Sequence, residues 1–109
     1  MLTQTGHMVY LGSWLLRAKS WLLGKPGLRG FVSPLGVHTR VDPSDPYFNE
    51  HIHHETVHLE QVARLGGWLS FLKLYFTYNW KYGYFNNPLE VEARAEAAYR
   101  ANKGLPAVK

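Results

Sequence analysis

Asn49-Glu50-His51-Ile52-His53-His54-Glu55-Thr56-Val57-His58-Leu59-Glu60-Gln61 is the stretch from which the rest of this 109-residue chain is read. His54 and His58 stand four apart, so on a helix their imidazoles lie one above the other on a single face. Glu55 leans over the same space. Two neutral nitrogen donors can hold a zinc ion while leaving a coordination position open for water, and a carboxylate beside them can accept that water's proton. The spacing H-E-x-x-H meets all three requirements within five residues, and it does so only if the stretch is helical.

Working outward, the composition sets bounds. Hydrophobic residues make up 46% and aromatic residues 15%, far from the composition of a disordered segment. The length suits one domain with a single core. We read residues 1–109 as that domain, with 1–27 an N-terminal amphipathic-helix region and 28–103 the core that carries the site. There is no cysteine, so disulfides, thiolate ligands and a thiol nucleophile are excluded and any metal must be held by His and carboxylate. The net charge of +4 favours anionic partners in general, but the basic residues are scattered from Arg17 to Lys109, which reads as a solvated surface and not as a nucleic-acid interface. Met8 to Leu23 is the most apolar stretch near the start, and Arg17 and Lys19 interrupt it short of a membrane span. With no signal peptide, no transmembrane helix and no cysteine, the sequence reads as cytoplasmic.

Along the chain, residues 1–7 lack a period and read as a loose lead-in. Leu11, Trp14, Leu15, Ala18, Trp21 and Leu22 recur at three and four, predicting an amphipathic helix that Gly24-Lys25-Pro26-Gly27 stops. Leu28–Ser33 and Gly36–Val41 read as a β-hairpin around Ser33-Pro34-Leu35-Gly36, with Val37, Thr39 and Val41 on a covered face and His38 and Arg40 on a wet one. Asp45 and Pro46 supply start signals for the central helix, predicted over Tyr47–Leu65 and stopped by Gly66-Gly67. On it His54, His58, Gln61 and Leu65 share one stripe, and Ile52, Thr56, Leu59 and Ala63 an apolar one. The aromatic run Trp68–Tyr82 reads first as a buried helix, with a strand as the alternative, and its overhang offers a substrate wall or a homodimer contact. Asn87-Pro88 opens a last helix, which Gly104 and Pro106 end, leaving Ala107–Lys109 as a frayed tail. The fold class expected is α+β, with three to four helices and a short β-hairpin or small sheet.

A catalytic zinc site takes three protein ligands, and the two histidines leave one to find. Glu90, Glu92, Glu96, His51 and His53 are the candidates. Glu90 shares its helical face with Ala93 and Ala97, small side chains that let the last helix approach the His54/His58 helix closely, so Glu90 is favoured. Glu92 shares a face with Glu96 and Tyr99 and reads as a supporting group or an alternative ligand. His51 lies three before His54 and can crowd the same face, although a solvent-exposed position in the first turn is the plainer reading. His53 points elsewhere. Gln61 is placed to hydrogen-bond a ligand from behind.

His54-Glu55-Thr56-Val57-His58, followed about thirty residues later by Glu90-Val91-Glu92-Ala93, resembles the gluzincin metallopeptidases, in which H-E-x-x-H on one helix is completed by the Glu of an E-x-x-A segment on another. It is especially similar to their minimal single-domain members, the minigluzincins, and Gln61 matches the H-E-x-x-H-x-x-Q variant of small phage and bacterial metallopeptidase-like proteins. The resemblance covers about Gly36 to Arg100. It implies a zincin-like fold, one Zn²⁺ per chain held by His54, His58 and Glu90, and Glu55 as general base and acid. Arg94 stands where some relatives of this group carry Asp. The stabiliser of the tetrahedral oxyanion is left among Tyr82, Tyr84, Tyr99 and Arg94.

The function expected is zinc-dependent hydrolysis of peptide bonds in a peptide or protein substrate, with the β-hairpin as the one candidate for binding an extended substrate by strand addition. The alternative is a catalytically latent zinc-binding scaffold or interaction module. A third reading, hydrolysis of cell-wall peptides, rests on size, basicity and the phage-like resemblance.

Overall fold

The hairpin around Ser33-Pro34-Leu35-Gly36 is present in the computed structural model, which describes residues 1–11 and 30–109. Strands β1 (Met8–Leu11), β2 (Gly30–Ser33) and β3 (Gly36–Thr39) form one sheet in the order β1-β3-β2. β2 and β3 pair antiparallel with Ser33 opposite Gly36, so Pro34 and Leu35 make the two-residue turn. β1 pairs parallel to β3 in the register Val9 opposite Val37 and Tyr10 opposite His38. Helices α1 (Phe48–Arg64), α2 (Trp68–Tyr82) and α3 (Pro88–Asn102) follow. Among the described residues the chain is an α+β domain of three helices and a small mixed sheet. The predicted helix over Leu11–Leu23 lies outside the described residues, apart from Leu11, which ends β1.

Pairing with β1 corrects the expectation of a wet face on the second hairpin strand. The second hairpin strand was read as having one wet face, yet Gly36, Val37, His38 and Thr39 are all buried because β3 is the central strand, with neighbours on both sides. It also ends at Thr39, whose hydroxyl accepts from the Val41 amide at 2.9 Å and turns the chain away. Residues 1–7 are no loose lead-in. Thr3 is buried and bridges to Val108, and the Lys109 amide donates to the Leu2 carbonyl at 2.9 Å. The same pairing corrects the frayed tail, since Ala107 is buried in the main core.

That core gathers Val9 and Val37 from the sheet, Phe48, Ile52 and Leu59 from α1, and Ala107. Helix α1 supplies it from its apolar stripe, although Ala63, placed on that stripe by periodicity, is exposed. The helix starts at Phe48, one residue later than expected: the Asp45 carboxylate accepts from the Tyr47 amide at 2.8 Å and its carbonyl from Phe48 at 3.0 Å. Gly66 and Gly67, at φ 91° and 132°, end it in a conformation that a side chain would disfavour. A second cluster of Val62, Phe71 and Leu89 joins the three helices. Here the expectation of a buried α2 fails in part, because Phe71 alone is fully buried on it. Leu74, Tyr75 and Tyr78 pack partly against the cluster, and the opposite side of α2 faces outward. Asn87 caps α3 as predicted, its side chain accepting from the Leu89 amide at 2.9 Å with Pro88 behind it.

Candidate metal centre

The site lies between α1 and α3, the two helices in most extensive contact. Helical geometry puts His54 and His58 one turn apart, with ring centroids 5.0 Å from each other. Across from them Glu90, in the first turn of α3, is 3% exposed. One of its oxygens, Oε1, accepts from His54 Nε2 at 2.9 Å and from His58 Nε2 at 3.0 Å. Its other oxygen accepts from the Tyr75 hydroxyl at 2.5 Å. Glu90 can come this close because Ala93 and Ala97, on its own face of α3, are small and fully buried.

Three donor atoms, one each from His54, His58 and Glu90, lie within 4.8 Å of one another. The hydrogen bonds behind them favour a metal. His58 Nδ1 donates to Gln61 Oε1 at 2.9 Å, which directs the Nε2 side of the ring toward Glu90. Gln61, fully buried, in turn donates to the Leu89 carbonyl and to Glu92 Oε1, both at 2.9 Å. Two imidazoles, one carboxylate and no sulfur make a donor set suited to Zn²⁺, and the residues present fit that ion.

Electrostatics follow from crowding these groups in a shielded place. Burial alone would lower the His58 imidazolium, but the hydrogen bond to Glu90 and the negative charges of Glu55 and Glu90 outweigh it and raise the group to about 9. Burial would likewise raise Glu90, yet donors from His54, His58 and Tyr75 hold it well below the usual carboxylate range. Glu55 behaves in the opposite way. It is 6% exposed, and desolvation lifts its pKa against the opposing pull of His58 and His54.

A cleft of about 180 Å³ opens beside these residues, with Glu55, His58 and Glu90 on its floor. Gly30, Phe31 and Val32 of β2 form one wall, and Phe71, Tyr75 and Phe76 of α2 another. The approach of β2 to α1 is close at Gly30, where a Cβ would stand 2.8 Å from the His38 carbonyl oxygen and 2.8 Å from His51 Nε2.

The remaining candidates are distributed as follows. Glu92 is exposed and pairs with Arg64 at 2.7 Å, so it supports Gln61 from outside and is not brought to the donor cluster. His51 is half-buried against β2, away from the solvent position read for it. His53 does point elsewhere, donating to the Leu105 carbonyl at 2.7 Å. Tyr82 and Tyr99 are exposed, and Arg94 stacks on the Phe85 ring at 4.3 Å and donates to the Phe85 carbonyl. None of the three lines the cleft. Tyr84 does, and its hydroxyl is pushed up to about 12, first by burial and then by the charges of Glu90 and Glu55. Tyr75 was missed by sequence reasoning. Its spacing four after Phe71 marks it as part of the packed face of α2, but only the placement of that helix against Glu90 gives it a role.

Comparison with known protein families, curated proteins and solved structures finds no match for this chain.

Proposed function

We propose that the chain is a zinc-dependent peptidase that adds water across an amide bond. One observation carries this reading: His54, His58 and Glu90 converge on one point beside a buried carboxylate, Glu55, in a cleft wide enough for a peptide side chain. His54, His58 and Glu90 would hold a divalent cation, which would supply Lewis-acid polarisation and a more acidic water at neutral pH. Glu55 takes a proton from the attacking water and passes it to the amide nitrogen as the C–N bond breaks, leaving a carboxylate and an amine. Its raised pKa suits both transfers. Tyr84 stays protonated at neutral pH and so can donate to the carbonyl oxygen as negative charge develops there. Tyr75 holds Glu90 from the far side. β2 is an edge strand among the described strands, and its Gly30–Val32 segment borders the cleft, which suits backbone pairing with an extended substrate.

The test combines metal content with turnover. Elemental analysis should find one zinc per chain, lost in His54→Ala and in Glu90→Ala. Glu55→Gln should keep zinc and lose hydrolysis of a peptide library by about 10²–10⁴-fold. Wild-type rates in Glu55→Gln would remove Glu55 from the mechanism. Stoichiometric zinc with no cleavage of any peptide, including cell-wall peptides in a zymogram, would leave a metal-holding scaffold instead.

A further inference from the structure

Helix α2 is apolar on two sides. Its inner side packs Phe71, Leu74, Tyr75 and Tyr78 against Val62 and Leu89. Its outer side carries Leu69, Leu72, Phe76 and Trp80 at spacings of three and four, which aligns them as one stripe. Leu69 is 83%, Phe76 59% and Trp80 90% exposed. Three large side chains so open on one helix face form a patch that a monomer in water does not normally carry.

The charges carried by α2 and the segments that flank it in sequence are all of one sign. From Gln61 through Leu89 there is no acidic residue, while Arg64, Lys73 and Lys81 are basic. Arg64 is engaged by Glu92, and Lys73 and Lys81 lie on the exposed side of α2. A second copy seated face to face on this helix would bring these lysines together with no acidic residue on α2 to answer them. A bilayer surface containing anionic lipid answers both features: the indole and the leucine and phenylalanine side chains enter the headgroup and acyl boundary, and the lysines reach the phosphates. With 15 residues α2 is roughly 22 Å long, too short to cross the hydrocarbon, so it lies in the plane.

We propose that the outer face of α2, through Leu69, Leu72, Phe76, Trp80, Lys73 and Lys81, docks this protein onto anionic membrane surfaces. Leu72 and Phe76 also line the cleft, so docking sets the cleft mouth at the bilayer surface. This inference is independent of hydrolysis.

The test uses the full chain. The variant Trp14→Phe/Trp21→Phe/Trp68→Phe leaves Trp80 as the sole tryptophan. Mixed with phosphatidylcholine vesicles containing phosphatidylserine, its emission should shift to the blue and be quenched by brominated lipid, and vesicles of phosphatidylcholine alone should give a much weaker response. Lys73→Glu/Lys81→Glu should weaken partitioning by roughly tenfold or more, as expected for two charges reversed at an anionic surface. Leu69→Ser/Trp80→Ser in the otherwise natural chain changes exposed positions only, and with its helical circular dichroism unchanged it should no longer sediment with the vesicles. Sedimentation equal to the unmodified chain would overturn the proposal, as would a Trp80 emission indifferent to lipid. A concentration-dependent dimer in lipid-free centrifugation that Trp80→Ser abolishes would assign the face to a second copy and overturn it too.

Discussion

Gln61 uses its whole amide in a place sealed from water: Oε1 accepts from His58 Nδ1, and Nε2 donates to Leu89 and Glu92. A side chain so engaged fixes which nitrogen of His58 faces Glu90. Replacing it with alanine frees His58 to rotate and removes the tie between α1 and the Leu89 carbonyl. We expect Gln61→Ala to weaken zinc binding by about 10–100-fold, measured by competition with a chromophoric chelator, and to cost about 1–3 kcal/mol in denaturant unfolding. Unchanged affinity would reduce Gln61 to a packing residue. The same cluster gives the metal-free chain a pH dependence whose sign follows from its protons. His58 is raised from 6.5 to about 9, so the stability it contributes is complete below about 6.5 and is lost as pH rises through 9. Glu90 is held below 4.5, so its contribution is present above that value and fades in acid. Glu55, raised by burial, disfavours the fold further as it ionises. In chelator, therefore, the melting temperature should be highest in mild acid and fall toward about pH 9, and a melting temperature that climbs over that range would contradict the network described.

At the scale of elements, the site depends on how α3 begins. Asn87 accepts from the Leu89 amide and donates to the Tyr75 carbonyl at 3.1 Å and to Asn79 Oδ1 at 2.8 Å, so one buried side chain caps α3 and ties it to α2. Glu90 follows three residues later. Asn87→Ala should cost about 1–2 kcal/mol for the cap alone, and it should also weaken zinc binding because Glu90 and Tyr75 lose their common anchor. Asn87→Asp, which keeps the cap acceptor, should recover most of the stability but less of the zinc affinity, since the two links to α2 are donated by the amide nitrogen. Equal recovery of both would argue against the tie to α2. Much of this was legible in the chain. The His54/His58 spacing, Asn87-Pro88 and Gly66-Gly67 are local signals, each complete within a few residues. The outward face of α2 was not legible, because an aromatic run carries the same letters whether its neighbours cover one side or both. Tyr75 was hidden for a similar reason: its partner Glu90 is on another helix, and nothing near Tyr75 in sequence points to it.

The whole molecule is closed by pairings between the two ends of the chain, and these were the least legible of all. β1 is four residues long with only Val9 buried, and it pairs parallel to β3, a contact made across a long separation in sequence with no turn to announce it. The last stretch is short and punctuated by Gly104 and Pro106, yet Ala107 fills the main core and the Leu105 carbonyl receives His53 from α1 and the Asn49 amide at 2.9 Å. The carbonyl oxygen of the same Asn49 side chain accepts from the Ala107 amide at 2.7 Å, so residues 105–107 are stitched to the first turns of the helix that bears His54 and His58. Removing Leu105–Lys109 would leave His53 and Asn49 unanswered in a half-buried place and open the core at Ala107. Counting one stranded buried donor at about 1–3 kcal/mol and the lost apolar packing at a similar amount, the truncated chain should be destabilised by roughly 2–5 kcal/mol, a large share of the total for a domain of this size. Saturating zinc should restore part of that loss by binding the folded form, and the restored part should be absent in His54→Ala. Thermal unfolding of the full and shortened chains, with zinc and with chelator, separates the two contributions. A shortened chain that melts with the full one would return residues 105–109 to the status of an idle tail.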